Sequence, residues 1–213
     1  MNTAERHEAL RAALITAAER AISASGLAGL KARELAREAG CALGAIYTVF
    51  PDLNALIFEV NGRTLSAIDA AIETALKARE GALSTSADPV ERLAVLSLAY
   101  LDYATHNGRR WAALFAHSLP EGQAVPEAYL ERQAKLFRYV EASLAALRPQ
   151  LAGDELSLLA RSLFSAVHGV VSLGLDEKLT PTPISLLRGQ IRLLVSAVAR
   201  GLATAPERPP GPA

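Results

Sequence analysis

The chain has 213 residues, 51% of them apolar, and its 22 basic side chains balance 22 acidic ones. That is ample material for a core, and zero net charge excludes nucleic-acid binding driven by bulk positive charge. Cys41 is the one cysteine, which rules out an intrachain disulfide and gives no sign of an oxidising compartment.

Alanine and leucine dominate the apolar residues and aromatics are few, a composition that favours an all-helical soluble protein. From about Glu5 to Ser25 the residues Leu10, Ala13, Leu14, Ala17, Ala18, Ala21 and Ile22 recur at helical spacing. Gly26 is placed to end that helix. A short second helix runs from Lys31 or Ala32 to Ala39, and Gly40 stops it. A third covers about Ala42 to Val49. Pro51 sits near the start of a longer helix whose apolar face is Leu53, Leu56, Ile57, Val60, Leu65, Ile68 and Ile72.

Gly81 to Pro89 reads as a loop, with Asp88-Pro89 opening a helix that carries Val90, Leu93, Leu96, Leu98, Leu101 and Tyr103. Asn107-Gly108 ends it. A short helix follows at Arg109–His117, then a loop from Pro120 to Pro126 and a long amphipathic helix over 127–148. The last two helices are Asp154 to about Leu175 and Ile184 to Leu202, parted by Thr180-Pro181-Thr182-Pro183. The proline-rich tail from Ala205 reads as disordered. No alternating strand pattern and no internal repeat is present.

The informative segment is Leu30 to Phe50. Two short helices meet there at a tight turn, the layout of a helix-turn-helix. Ala36 lacks bulk where the helices cross, and Gly40 suits the left-handed conformation of the turn. Leu35, Cys41, Ile46 and Phe50 are expected to point inward and leave the second helix of the pair free for a major groove. An ordinary helical hairpin in a bundle fits the same spacings.

Residues 10–60 resemble the N-terminal domain of the TetR family. The resemblance rests on an apolar first helix, a glycine, and a helix-AxxAG-helix ending in Gly-x-x-Tyr-x-x-Phe, here Gly44, Tyr47 and Phe50. It implies an all-α fold: a three-helix DNA-binding head over residues 1–52, then a helical effector-binding and dimerisation domain over 53–204 and the tail over 205–213. The stretch Leu163 to Leu175, with Val167-His168-Gly169, also looks like the Trp-His-Gly class of C-terminal domains, without the tryptophan close before the His-Gly pair. Four positions depart from the family pattern. Lys31 and Ala42 stand where small hydroxyl residues usually cap the second and third helices, and Leu43 and Leu53 replace lysines. A lost cap typically costs about 1 kcal/mol, and the lost lysines remove expected phosphate contacts.

By that resemblance, Leu43, Ala45 and Thr48 face base edges, and Tyr47 meets a phosphate through its hydroxyl. Gly44 lets the backbone approach, and Lys31 and Arg33 reach the duplex backbone or groove. Leu43 and Ala45 suit thymine methyls, so readout leans on apolar contacts and DNA shape. The first sixty residues hold 6 Lys+Arg against 7 Asp+Glu, so affinity must come from locally placed cations, backbone amides and dimerisation.

Ser162 to Leu175 is almost uncharged on every face and must be buried on every face. The last two helices pairing with their mates in a four-helix bundle would achieve that, with Gly169, Gly174, Ser165 and Ser172 allowing close approach. A central helix of a monomeric bundle would also achieve it. The family implies a small-molecule effector, and Tyr100, Tyr103, Trp111, Phe115, Phe137 and His168 are the candidate contacts, expected within the helical core. No metal site or cofactor is expected, since His106 and His117 have no ligand partner at suitable spacing. No hydrolase, phosphate-loop or paired-carboxylate motif marks an enzyme. The expected partners are an operator in double-stranded DNA, a second copy of the chain and the effector, in the cytoplasm and away from membranes. The resemblance implies repression relieved by the effector, the commoner mode in that family, and the rival reading is a TetR-like interaction module that has lost DNA binding.

Overall fold

The computed structural model describes residues 2–80, 88–176, 178 and 182–204. The loop at 81–87, most of the proline turn and the tail from 205 lie outside them. Every regular element among the described residues is helical: α1 (Thr3–Ser25), a 3-10 turn (Leu27–Gly29), α2 (Ala32–Glu38), α3 (Leu43–Val49), α4 (Leu53–Glu80), α5 (Pro89–His106), α6 (Gly108–Ala116), α7 (Glu127–Leu147), α8 (Gly153–Gly174) and α9 (Ile184–Thr204). The boundaries agree with the periodicity to within two residues at each end, which is how far helix ends fray.

The contacts divide the chain into two compact units. One draws on residues up to 69 and on 103–134, the other on 70–102 and the residues from 135. In the first, Leu14, Ala17, Ala18 and Ile22 of α1 meet Leu35 and Ala36 of α2, Ile46 of α3 and its C-cap Phe50, Leu56 and Val60 of α4, and Ala113 of α6. Residues 14, 17, 18 and 22 lie on one helical stripe, so burying them fixes which side of α1 the next two helices cover. A capping box starts α1: Asn2 accepts the Glu5 N–H, and the Glu5 carboxylate accepts the Asn2 N–H. Gly26 closes the helix at φ +65, a conformation that disfavours side chains.

Ionic contacts fasten α6 to α1 and α4 within this unit. Glu19 of α1 pairs with Arg110 at 2.6 Å and with Arg63 at 3.1 Å, and Arg109 donates to the Ala24 carbonyl at the end of α1. Asp52 accepts the Ala55 N–H in the first turn of α4. That bond holds its carboxyl below the ordinary range, against the smaller opposing effect of burial.

In the second unit α8 and α9 pack through Ala160, Leu163, Val167 and Val171 against Leu187, Ile191, Val195 and Ala199, all buried. A methyl group on Gly174 would stand 2.6 Å from Leu187 Cδ1, so this glycine serves the approach of α8 to its own α9. Gly169 has open space around it. The opposite side of α8 is not buried: Leu158 and Leu173 are 66% and 61% exposed, on the same face as Ser162, Ser165 and Gly169. By length and composition α8 is also apolar enough to cross a bilayer.

Candidate functional site

The α2–α3 pair is built by its buried residues. Leu35, Ala36, Ile46 and Phe50 are each under 5% exposed, while Cys41 is half-buried at the edge of the same core. Gly40 takes φ +68, and the turn closes with the Cys41 N–H on the Ala36 carbonyl at 2.9 Å. A left-handed residue is what lets a helix reverse within two positions. Neither helix has a side-chain cap: Lys31 and Ala42 stand in extended conformation at the N-caps and make no side-chain hydrogen bond there.

With Ile46 fully buried, its neighbours on α3 turn outward. Tyr47 is 51% and Leu43 40% exposed, and Gly44 and Thr48 are exposed as well. Ala45 is half-buried, so it offers only part of its methyl. The Thr48 hydroxyl donates to the Ala45 carbonyl at 2.8 Å. Its proton is therefore spent, and toward an outside group it acts as an acceptor or a methyl. Lys31 and Arg33 are exposed at the start of α2, Lys31 loosely paired with Glu34 at 3.6 Å. An exposed pair of this kind contributes about 0–1 kcal/mol and leaves the ammonium available to a stronger anion. All seven sequence-expected DNA residues thus lie on α2, its N-cap and α3.

His7 was not legible as part of this head. Its Nε2 lies 3.2 Å from the Thr48 carbonyl at the end of α3, across forty-one positions of sequence. Arg11 lies 5.6 Å from the centre of the Phe50 ring and pairs with Glu59. No short-range pattern announces either contact.

The six expected effector residues separate into two groups. Tyr100, Phe137 and His168 belong to the second unit and meet around Phe164, which sequence reasoning missed. The Tyr100 hydroxyl and His168 Nδ1 are 2.8 Å apart, and burial pushes the imidazole below its ordinary pKa. Tyr103, Trp111 and Phe115 belong to the first unit. Tyr103 and Trp111 are buried, but Phe115 is 47% exposed, which corrects the expectation that it lies within the core. Its ring packs edge-on against Trp111 at 5.6 Å. Its helix α6 buries Trp111 and Ala113 but leaves Phe115 uncovered, and periodicity marks a residue as apolar without saying whether its neighbours cover it. Burial also raises the Tyr103 hydroxyl pKa, partly offset by Arg110 and Thr64. Among the described residues no three metal-ligating side chains cluster.

Comparison with known proteins agrees with this geometry. Residues 14–60 match the family described as bacterial regulatory proteins, tetR family. Residues 93–202, more than half of the chain, match the tetracyclin repressor-like C-terminal domain. No curated protein matches. Among solved structures, a protein of unknown function from Rhodococcus sp. RHA1 is 24% identical over 92% of this chain and 96% of its own, with TM-score 0.69. RolR, solved with resorcinol bound, is 20% identical over 97% and 98%, with TM-score 0.62. A TetR transcriptional regulator from the same Rhodococcus strain is 16% identical over 91% and 97%, with TM-score 0.55. These three likenesses are of fold. With the head and the longer C-terminal domain both matched, and α3 offered to solvent on a buried three-helix wedge, the chain belongs to the TetR family of DNA-binding transcription regulators.

Proposed function

We propose that the chain is a repressor that grips its operator as a homodimer and lets go when a small molecule binds. Residues 1–52 act as the DNA head and 53–204 as the effector and dimer domain. The observation that carries this reading is the alternation on α3, where Ile46 is sealed in the core and Leu43 and Tyr47 flank it in solvent. Tyr47, Lys31 and Arg33 hold phosphates, Gly44 admits the backbone, and Leu43, Ala45 and Thr48 meet base edges.

The unburied sides of α8 and α9 support the dimer. Leu158 and Leu173 on α8 and Leu186 and Leu193 on α9 are all at least 60% exposed. Leu186, Gln190, Leu193 and Ala197 share one face of α9, opposite the face that packs on α8. Two such helix pairs meeting face to face form a four-helix bundle. The mate would set two copies of α3 on half-sites about 34 Å apart. That a protein of this fold, RolR, was solved with resorcinol supports a small-molecule effector here.

The test is a gel shift on the DNA upstream of the gene over a salt series, paired with a reporter driven by that DNA. A salt-dependent shift and a silenced reporter are expected. An activated reporter would overturn repression. The absence of any shift would favour the second reading, an interaction module without DNA binding, which the uncapped α2 and α3 and the cation-free α3 also suit.

A further inference from the structure

Two oxygens in the seam of α4, α5 and α6 have no hydrogen-bond partner. Asn61 on α4 is 1% exposed. Its Nδ2 donates to the Ala113 carbonyl of α6 at 3.4 Å, and its Oδ1 is buried and unbonded. Turning the amide over would set two oxygens face to face, so the orientation is fixed and Oδ1 is left over. Tyr103 on α5 is 8% exposed, and its hydroxyl is likewise unbonded.

Thr64, beside that hydroxyl, is already saturated. Its own O–H donates to the Val60 carbonyl at 3.1 Å, and its oxygen accepts from Arg110 Nε and Nη2 at 3.3 and 3.2 Å. Two lone pairs and one proton are thereby used. Arg110 in turn pairs with Glu19, which it shares with Arg63. Asn61 and Thr64 are separated by about 4.5 Å along the axis of α4, and both face α6, through Ala113 and Arg110. The seam therefore presents an acceptor-only oxygen and a phenol hydroxyl, beside the buried core residues Val60 and Ala113.

We infer that this seam is the polar end of the effector site and takes a compact, uncharged ligand through a single hydroxyl group. The ligand O–H donates to Asn61 Oδ1, and its oxygen accepts from the Tyr103 hydroxyl. One group satisfies both orphaned atoms, whereas a carboxylate would meet Asn61 Oδ1 with like polarity and an ammonium would be stripped of water without a counter-ion. The inference rests on the effector reading above and adds Asn61, which sequence reasoning did not single out.

The test uses the full chain off DNA, with calorimetry and thermal melting. The probes are phenol, resorcinol and cyclohexanol, with toluene and methylcyclohexane as hydroxyl-free partners. At least one hydroxyl-bearing probe is expected to bind ten times more tightly than its hydroxyl-free partner. Asn61→Leu and Tyr103→Phe should each cut that affinity at least tenfold. Asn61→Leu should also raise the melting temperature of the unliganded chain, because it removes a buried unbonded oxygen. Comparing phenol with cyclohexanol separates a phenolic from an aliphatic ligand. Failure of all three probes to bind, equal binding of the hydroxyl-free partners, or unchanged affinity in the variants would each overturn the assignment. If Asn61→Leu does not fold, Tyr103→Phe, which keeps the ring, decides alone. The gel shift is scored separately, so loss of DNA binding with intact ligand binding sinks the regulator reading and leaves this site standing.

Discussion

Lys31→Ala separates a phosphate contact from a structural role. Lys31 is exposed at the N-cap of α2, where its side chain bonds no backbone group. Its one ion pair, with Glu34 at 3.6 Å, joins two exposed side chains. Such a pair is screened and contributes about 0–1 kcal/mol, so removal should leave the melting temperature nearly unchanged. On DNA the consequence differs. Each phosphate neutralised releases counterions, and log K falls with log salt at a slope of about −0.9 per contact. One lost contact per protomer makes the slope of a dimer shallower by about 1.8, so between 50 and 200 mM salt the variant loses about twelvefold less affinity than the parent does. Fluorescence anisotropy on an operator duplex across that range measures it, with an unrelated duplex alongside, and both sequences should weaken alike. Tyr47→Phe is the companion. It removes a neutral hydroxyl, lowers affinity by about fivefold per protomer for a hydrogen bond of roughly 1 kcal/mol, and leaves the slope alone. A Lys31→Ala slope equal to that of the parent would refute the reasoning.

Ala42→Ser supplies the missing cap of α3, since residue 42 is already extended and its carbonyl already accepts the Ala45 N–H. A gain of about 1 kcal/mol is expected, read as a rise of about 2–4 °C in melting temperature for a chain of this length. Leu186→Glu with Leu193→Glu puts charge on the open face of α9. Sedimentation should then find a monomer, with operator binding lost and helicity by circular dichroism retained. Asp52→Asn addresses acid stability. Because the folded carboxyl titrates below its unfolded value, its contribution is present above about pH 4 and disappears as pH falls through the lower folded value. The variant's stability should change less with pH below about 4 in urea titrations than the parent's does.

Local chemistry decided much of this molecule. The stripe Leu14, Ala17, Ala18 and Ile22, the glycines at 26 and 40, and the buried set Leu35, Ile46 and Phe50 follow from helical period and from the left-handed conformations glycine permits. From these the helical fold, the turn and the outward side of α3 were legible, because each depends on residues within a few positions of one another. The expectation that α8 is buried on every side is not met in the folded chain. Only one face is covered, and the open row from Leu158 to Leu173 is visible only once α9 is in place.

What sequence could not supply was which distant side chains share a seam. The apolar character of Phe115 was plain, but its exposure depended on what the rest of the first unit left uncovered. Six aromatic or polar-tipped residues looked equivalent along the chain, yet tertiary packing sent Tyr100, Phe137 and His168 to one unit and Tyr103, Trp111 and Phe115 to the other. Glu19 between Arg63 and Arg110, and the leftover oxygen of Asn61, have no signature at all in sequence. Periodicity records which face of a helix is apolar, whereas hydrogen-bond saturation depends on the three-dimensional count of donors and acceptors around each atom, and that count exists only in the folded chain.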